Sequence, residues 1–312
     1  MERKVIVITG PTCSGKTSLS INVAEMLNLS AHLTAEIISA DSRQVFKYLD
    51  IGTAKPTPNE MRGIKHHLID CFEPDKDYSA SKFENDALRL IEKLFSENKI
   101  PIVAGGSGLY IKSLIDGIFD TVDKDEQCRE DLLLIRNEYG NEAIYDLLLE
   151  VDPESASKMI PQNWKRIIRA LEVFKLSGKT IGELQREYKR ENEFEFVQYG
   201  LNWDREILYK NIEDRVDDMI NNGLIDETKN VLNKGFNQNL NSLNTVGYKE
   251  IISFLNEEIS LERAIELIKR NTRRFAKRQM TWFRNDSRIN WFNISGKGEL
   301  NSIAEKIIKM YL

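Results

Sequence analysis

The sequence predicts an α/β protein: a parallel β-sheet core flanked by helices and interrupted by an inserted helical subdomain. Three observations carry this. Short apolar runs alternate with amphipathic stretches from the N-terminus onward, and the first run, Val5 to Thr9, leads straight into GPTCSGKT, Gly10 to Thr17. From about Asp123 to about Arg190 the texture changes to charged, helix-forming sequence without strand signals. After it, FEFVQYGLNW (Phe194 to Trp203) returns to strand-like alternation. Apolar runs separated by helices imply parallel strands covered on both faces, with ligands at the C-terminal ends of the strands.

Each element has its own signal. Lys16 to Leu27 has helical spacing in Leu19, Val23, Met26 and Leu27, and AEIISA (Ala35 to Ala40) is a short strand ending at Asp41. HHLID (His66 to Asp70) follows, then a helix from Ser81 to Phe95 through Phe83, Ala87, Leu88, Ile91 and Leu94, then the strand IPIVAGG, Ile100 to Gly106. In the charged block Leu132, Ile135, Tyr139, Ala143 and Leu147, and later Ile167, Ile168, Leu171 and Phe174, recur at helical intervals until SGK (Ser177 to Lys179) stops the helix. Helices then run to about Arg284, and RINWFNIS (Arg288 to Ser295) reads as an edge strand. The expected organisation is a first part of the core over 1–122, the helical insertion over 123–193, and the rest of the core over 194–312.

Gly10 to Thr17 has the spacing of the P-loop, placed after a strand and before a helix, where backbone N–H groups and a helix N-terminus cradle phosphate. Lys16 is expected to neutralise phosphate oxygens and Thr17 to ligate Mg²⁺. The loop recognises a polyphosphate anion and not a nucleoside, so other residues must say whose phosphate it is. A P-loop kinase or motor carries a second strand ending in an acid that holds Mg²⁺ through water; here IPIVAGG ends in glycines and Asp70 is a weak substitute.

With 312 residues, one large domain with an insertion or two domains is expected. The 41% apolar and 30% charged residues are those of a globular chain, and no apolar stretch approaches the roughly 18 residues that span a membrane. The N-terminus runs directly into a strand, leaving no room for a cleavable signal, so a cytoplasmic protein is expected. Cys13, Cys71 and Cys128 are too scattered for a disulfide framework or a zinc site, and His66-His67 lacks a third ligand. The net charge of −5 hides two basic stretches, Lys165 to Arg190 and Lys269 to Arg288. The second holds eight basic residues against one acid, Asp286. With aromatics interleaved, the two runs suggest contact with a nucleic-acid backbone, whereas Trp282, Phe283 and Trp291 themselves follow helix and strand periods and are expected in the core.

The stretch ISADSRQVFKYLDIGTAKP (Ile38 to Pro56) delivers Asp41 and Ser42 to the C-terminal edge of the sheet beside the P-loop. Together with GPTCSGKT, AGGSGLYI (Ala104 to Ile111), RALEVF (Arg169 to Phe174), VGYKE (Val246 to Glu250) and RRFAKRQMTWFR (Arg273 to Arg284), it closely resembles the tRNA dimethylallyltransferase family over nearly the whole chain. The resemblance implies that Gly10, Pro11, Thr12, Cys13, Ser14, Gly15, Lys16 and Thr17, with Arg215, hold the diphosphate of dimethylallyl diphosphate, with Mg²⁺ on Thr17. It implies transfer of the dimethylallyl group to N6 of the adenosine next to the anticodon, with Asp41 as general base and Lys16 and Thr17 in electrostatic support. Contacts to the tRNA anticodon stem-loop would fall on Asp41, Ser42, Arg43 and Gln44, on Ser107 and Arg129, on Lys165, Arg166, Ile167, Ile168 and Arg169, and on Asn244, Thr245, Val246, Gly247, Tyr248 and Lys249. Ser107 stands where the family usually has Thr, keeping the hydroxyl, and Phe46 replaces a frequent Tyr. The enzyme would act as a monomer away from membranes. Competing readings are an isopentenyltransferase for free adenine nucleotides, which needs no basic insertion, and a P-loop small-molecule kinase, which needs ATP and an arginine-bearing lid.

Overall fold

The apolar run before the phosphate loop forms β1 (Lys4–Thr9), followed along the chain by β2 (Ala35–Ser39), β3 (His66–His67), β4 (Ile100–Gly105), β5 (Glu195–Trp203) and β6 (Ile289–Ile294). All pair in parallel, in the order β3-β2-β4-β1-β5-β6. The computed structural model from which this is taken describes residues 3–30, 33–118, 125–188 and 193–312. Val5, Ile6, Val7 and Ile8 of β1 are wholly buried, as a strand with helices on both faces of its sheet must be. The β6 strand sits at the sheet edge, where the sequence placed it.

The chain leaves β1, skips a position to β2, and returns to lay β4 between them, in register from Ile6 beside Ile102 to Thr9 beside Gly105. The C-terminal ends of β1, β2 and β4 therefore open side by side. A parallel sheet binds ligands at such a reversal.

The chain divides into two compact units, one of residues 1–115 and 192–312 and the other of 116–191. The expected boundary at 122–123 and the Lys189-Arg190 end of the first basic stretch lie outside the described residues. Around the sheet lie α1 (Lys16–Ser30), α2 (Pro58–Met61), α3 (Ala80–Ser96) and α4 (Gly108–Asp116). The second unit is helical: α5 (Glu126–Val151), which breaks at Gly140, α6 (Pro153–Ala156), α7 (Trp164–Ser177) and α8 (Ile181–Glu187). Its core gathers Leu132, Ile144, Leu148, Ile167 and Leu171, and α7 stops at Gly178 in the left-handed conformation, with φ 71°. After β5 come α9 (Arg205–Asn221), α10 (Leu224–Asn233), α11 (Tyr248–Leu255) and the long α12 (Leu261–Arg284), which ends where the sequence expectation ends. A last helix, α13 (Leu300–Tyr311), went unanticipated; it buries Leu300, Ile303, Ala304, Ile307 and Ile308 and packs on α1.

One buried charge organises the helical unit. Glu172 on α7 is wholly buried and accepts hydrogen bonds from Arg129 (2.9 Å), Arg169 (2.6 Å) and the Asp125 backbone N–H (3.0 Å). Burial alone would raise its carboxyl, but the bonds from Arg169 and Arg129 outweigh this and hold it below the usual range. Removing the carboxylate takes from Arg129 and Arg169 the buried anion that they share, so Glu172→Ala is expected to cost about 3–5 kcal/mol. A group with a depressed folded pKa contributes stability above its unfolded pKa and loses it as pH falls through the folded one. Thermal melts of wild type and variant across acidic pH should therefore converge as the acid limit is approached.

Candidate active site

Beyond Thr9 the chain curls through the P-loop into α1. Cys13 (φ 64°) and Gly15 (φ 88°) are left-handed, and a Cβ on Gly15 would lie 3.1 Å from Leu300 Cδ1. The loop is tied down from several sides: Trp203 Nε1 donates to Ser14 O (2.9 Å), Thr12 N donates to Gln279 Oε1 (2.8 Å), and Lys16 Nζ donates to Pro11 O (2.6 Å). Thr17 is exposed on the first turn of α1.

The loop forms one wall of a cavity of about 750 Å³ that also receives Asp41, Gln44, Gly105, Gly106 and Arg215. Arg215, Asp218 and Met219 line it from α9 at helical spacing, with Asn222 just past the end of that helix, and Phe275 and Gln279 from α12. Arg215 donates to Thr12 Oγ1 (3.4 Å), and among the described residues it forms no ion pair with Asp214 or Asp218. Burial and then the charge of Arg215 push Lys16 down to about 8, while Asp41 opposes the shift. Two cations in one cavity, the lysine partly buried, describe a site that an anion would stabilise.

Asp41 follows β2, and its Oδ1 accepts from the backbone N–H of Arg43 (2.8 Å) and Gln44 (3.4 Å). The carboxylate thus caps a turn with one oxygen, while Oδ2 makes no hydrogen bond among the described residues. Ser42 N donates to Ser107 Oγ (3.0 Å), joining this turn to the end of β4. Gln44 is held by Ser39, Thr53 and Ala54, and Arg43 by the Asn241 carbonyl (2.7 Å). The loop after them is pinned by Glu227, whose carboxylate accepts from the backbone N–H of Asp50, Ile51 and Gly52. Lys55, almost fully buried, bonds Asp50 and Asp70, so Asp70 is engaged in an ion pair.

The residues expected to meet RNA divide into those that present side chains and those that do not. In the first unit Asn244 and Lys249 are exposed, while Gly247 (φ 104°) starts α11 and Tyr248 is buried with its hydroxyl on Glu227 (2.5 Å). Between them Thr245 and Val246 are half-buried. In the helical unit Lys165 and Arg166 are exposed, but Ile167 and Ile168 are buried. The Ile167, Ile168 and Tyr248 side chains therefore serve packing; their positions were carried as parts of continuous motifs, and a helix necessarily turns some members of such a run inward. Arg129 and Arg169 are half-buried against Glu172.

On α12, Lys269 pairs with Asp217 and Arg273 with Glu213, whereas Arg274, Lys277, Arg278 and Arg284 are exposed. Trp282 corrects the core expectation: it is 38% exposed, because the buried seam runs through Ala276, Gln279 and Phe283. If Lys165 and Arg166 meet phosphates, tRNA affinity should fall with salt, and the slope of log affinity against log salt should shrink by about 1 for each contact removed in Lys165→Ala and Arg166→Ala. Filter binding over a salt series reads this; a slope equal to wild type in the double variant places both residues off the interface.

Gln279, Lys55 and Glu227 were not singled out from sequence. Gln279 carried a signal, a polar residue in the apolar seam of α12, but Lys55 and Glu227 are brought to the loop by tertiary packing alone.

A phosphate loop, a facing arginine and a carboxylate in one cavity at the open end of a parallel sheet define a P-loop enzyme of group transfer. The family model described as IPP transferase matches residues 44–286, and the chain belongs to that family. It is 44% identical over 310 residues to a tRNA dimethylallyltransferase of Alkaliphilus oremlandii, covering 99% of this chain and 97% of that protein. It is 46% identical to that of Carboxydothermus hydrogenoformans, with the same coverage. Among solved structures it is similar to the full-length tRNA isopentenylpyrophosphate transferase of Bacillus halodurans, at a TM-score of 0.71 and 38% identity, over 99% of this chain and 96% of that one. A eukaryotic dimethylallyltransferase acting on tRNA superposes at a TM-score of 0.78 and 29% identity, over 97% of this chain and 77% of that one. No helix among the described residues is long and apolar enough to cross a membrane.

Proposed function

We propose that this chain transfers the dimethylallyl group from dimethylallyl diphosphate to N6 of adenosine 37, beside the anticodon of tRNA, in the cytoplasm. The observation that carries the reading is the single cavity shared by Lys16, Arg215 and Asp41. The allylic C–O bond breaks as the C–N6 bond forms, and charge grows on the departing diphosphate. Lys16, the loop N–H groups and Arg215 meet that charge. The adenine amine is a poor nucleophile, its lone pair being delocalised into the ring, and a carboxylate oxygen of Asp41 takes its proton as the bond forms. For N6 to reach the cavity the base must leave the stack of the anticodon loop.

Mg²⁺ fits these residues. Thr17 offers a hard hydroxyl oxygen beside the loop, and no group of three or more His, Cys, Asp or Glu able to hold a metal occurs among the described residues. The ion would then be held by Thr17 and mainly by diphosphate oxygens, as Mg²⁺ in phosphate sites is. When bound it supplies positive charge to the leaving group.

Because the loop selects an oxyanion, inorganic diphosphate should compete with the prenyl donor in a steady-state assay and raise its apparent KM. Competition by ATP coupled to its rapid hydrolysis, with no effect of diphosphate, would favour a small-molecule kinase instead.

A further inference from the structure

One side chain joins the wall that holds the donor to the wall that carries the base. Gln279 is 7% exposed in the seam of α12, and both ends of its amide are used. Oε1 accepts from Thr12 N in the P-loop (2.8 Å), and Nε2 donates to Gly106 O beyond β4 (2.9 Å). The fit is close: a Cβ on Gly106 would lie 2.4 Å from Gln279 Nε2. The bonds continue in both directions. Thr12 Oγ1 accepts from Arg215, and Ser107, next to Gly106, accepts the Ser42 N–H on its hydroxyl, while its own N–H donates to Ala40 O (3.2 Å). Ala40 and Ser42 flank Asp41.

We infer that Gln279 is a positioning residue that sets the distance between the diphosphate and the Asp41 carboxylate, by holding the P-loop and the end of β4 in one register. The inference rests on the proposed prenyl transfer. A primary amide suits the task because it supplies one acceptor and one donor at a fixed separation, and here each meets a backbone group, the Thr12 N–H and the Gly106 carbonyl. The P-loop and the β2 turn belong to strands that are not neighbours, with β4 between them. The sheet ladders through β4 space the strands themselves, while beyond the strand ends the P-loop meets the residues after β4 through Gln279, which ends on Gly106. Small errors in the placement of reacting groups cost rate far more than affinity; a misplacement of about 1 Å costs on the order of 10²-fold.

Two variants test this. Gln279→Met keeps the length and loses both bonds, and Gln279→Asn keeps the amide but is one methylene short. Single-turnover transfer to tRNA at saturating donor should fall about 10- to 100-fold in both, while the dissociation constant for inorganic diphosphate, by calorimetry, changes by less than about 5-fold and the folded fraction stays that of wild type. A merely structural glutamine would lower the melting temperature and leave the rate of the folded fraction alone. Combination with Ser107→Ala should cost less than the product of the two single effects, because both act on one chain of bonds. Transfer by Gln279→Met within a factor of about 2 of wild type, diphosphate affinity falling in step with rate, or independent effects of the two substitutions would overturn the coupling and leave the proposed function standing. A wild type that makes no prenylated tRNA would overturn the function, and the coupling with it.

Discussion

Replacing Asp41 by Asn is expected to slow prenyl transfer by about 10²- to 10⁴-fold, the range for losing acid–base assistance. Asparagine keeps the size of the side chain and, through its carbonyl oxygen, the turn-capping bonds from the Arg43 and Gln44 N–H groups. What it loses is the proton acceptor. Binding of tRNA and of dimethylallyl diphosphate does not depend on that proton transfer and should change far less. Turn capping and base catalysis are thus separable at this residue, since Oδ1 does the first and the carboxylate charge is needed only for the second. Single-turnover transfer, both dissociation constants and a melting curve on one preparation distinguish them. Normal transfer by a folded Asp41→Asn enzyme would leave only the electrostatic half of the mechanism.

Lys16→Ala should be nearly as damaging, with a loss of about 10²- to 10³-fold in turnover, as for removing one preorganised group that meets developing negative charge. Its pH dependence adds a sharper signature. Burial and Arg215 hold the free ammonium at about 8, so it is charged below that pH and neutral above it. In wild type, kcat/KM for the donor should accordingly decline as pH rises through 8, since that ratio reports the free enzyme. Lys16→Arg keeps a cation at all these pH values and should lose that decline, whatever its absolute rate. A wild-type profile flat from pH 7 to 9.5 would mean that Lys16 is not the group meeting the donor.

The parallel sheet was legible because strands buried on both faces appear as uninterrupted apolar runs, as in Val5 to Ile8 and Ile100 to Val103. That Asp41, Lys16 and Thr17 would meet in one cavity was legible because the P-loop follows β1 directly and Asp41 follows β2, so both come to the same edge of the sheet. Arg215 came from the resemblance, and only the packing of α9 brings it to Thr12. The basic stretches were readable as charge but not as partnership. Charge counting cannot tell Arg166, exposed, from Arg169, three residues on and turned to Glu172. Nor could it show that Trp282 stands outside the α12 seam. The helix α13 has apolar spacing of its own in Leu300, Ile303, Ala304, Ile307 and Ile308, and went unread because the stretch bears none of the motifs that drew attention to its neighbours.

In the proposed reaction the P-loop cavity delivers a prenyl group to a tRNA adenosine. Its most direct test is incubation of the wild-type chain with dimethylallyl diphosphate labelled in the prenyl group and with either unmodified tRNA or AMP, followed by digestion and chromatography of the nucleosides. Label recovered as N6-isopentenyladenosine from tRNA, with none on AMP, is the expected result; label on AMP alone, or ATP hydrolysis with no prenyl transfer to either, would contradict it.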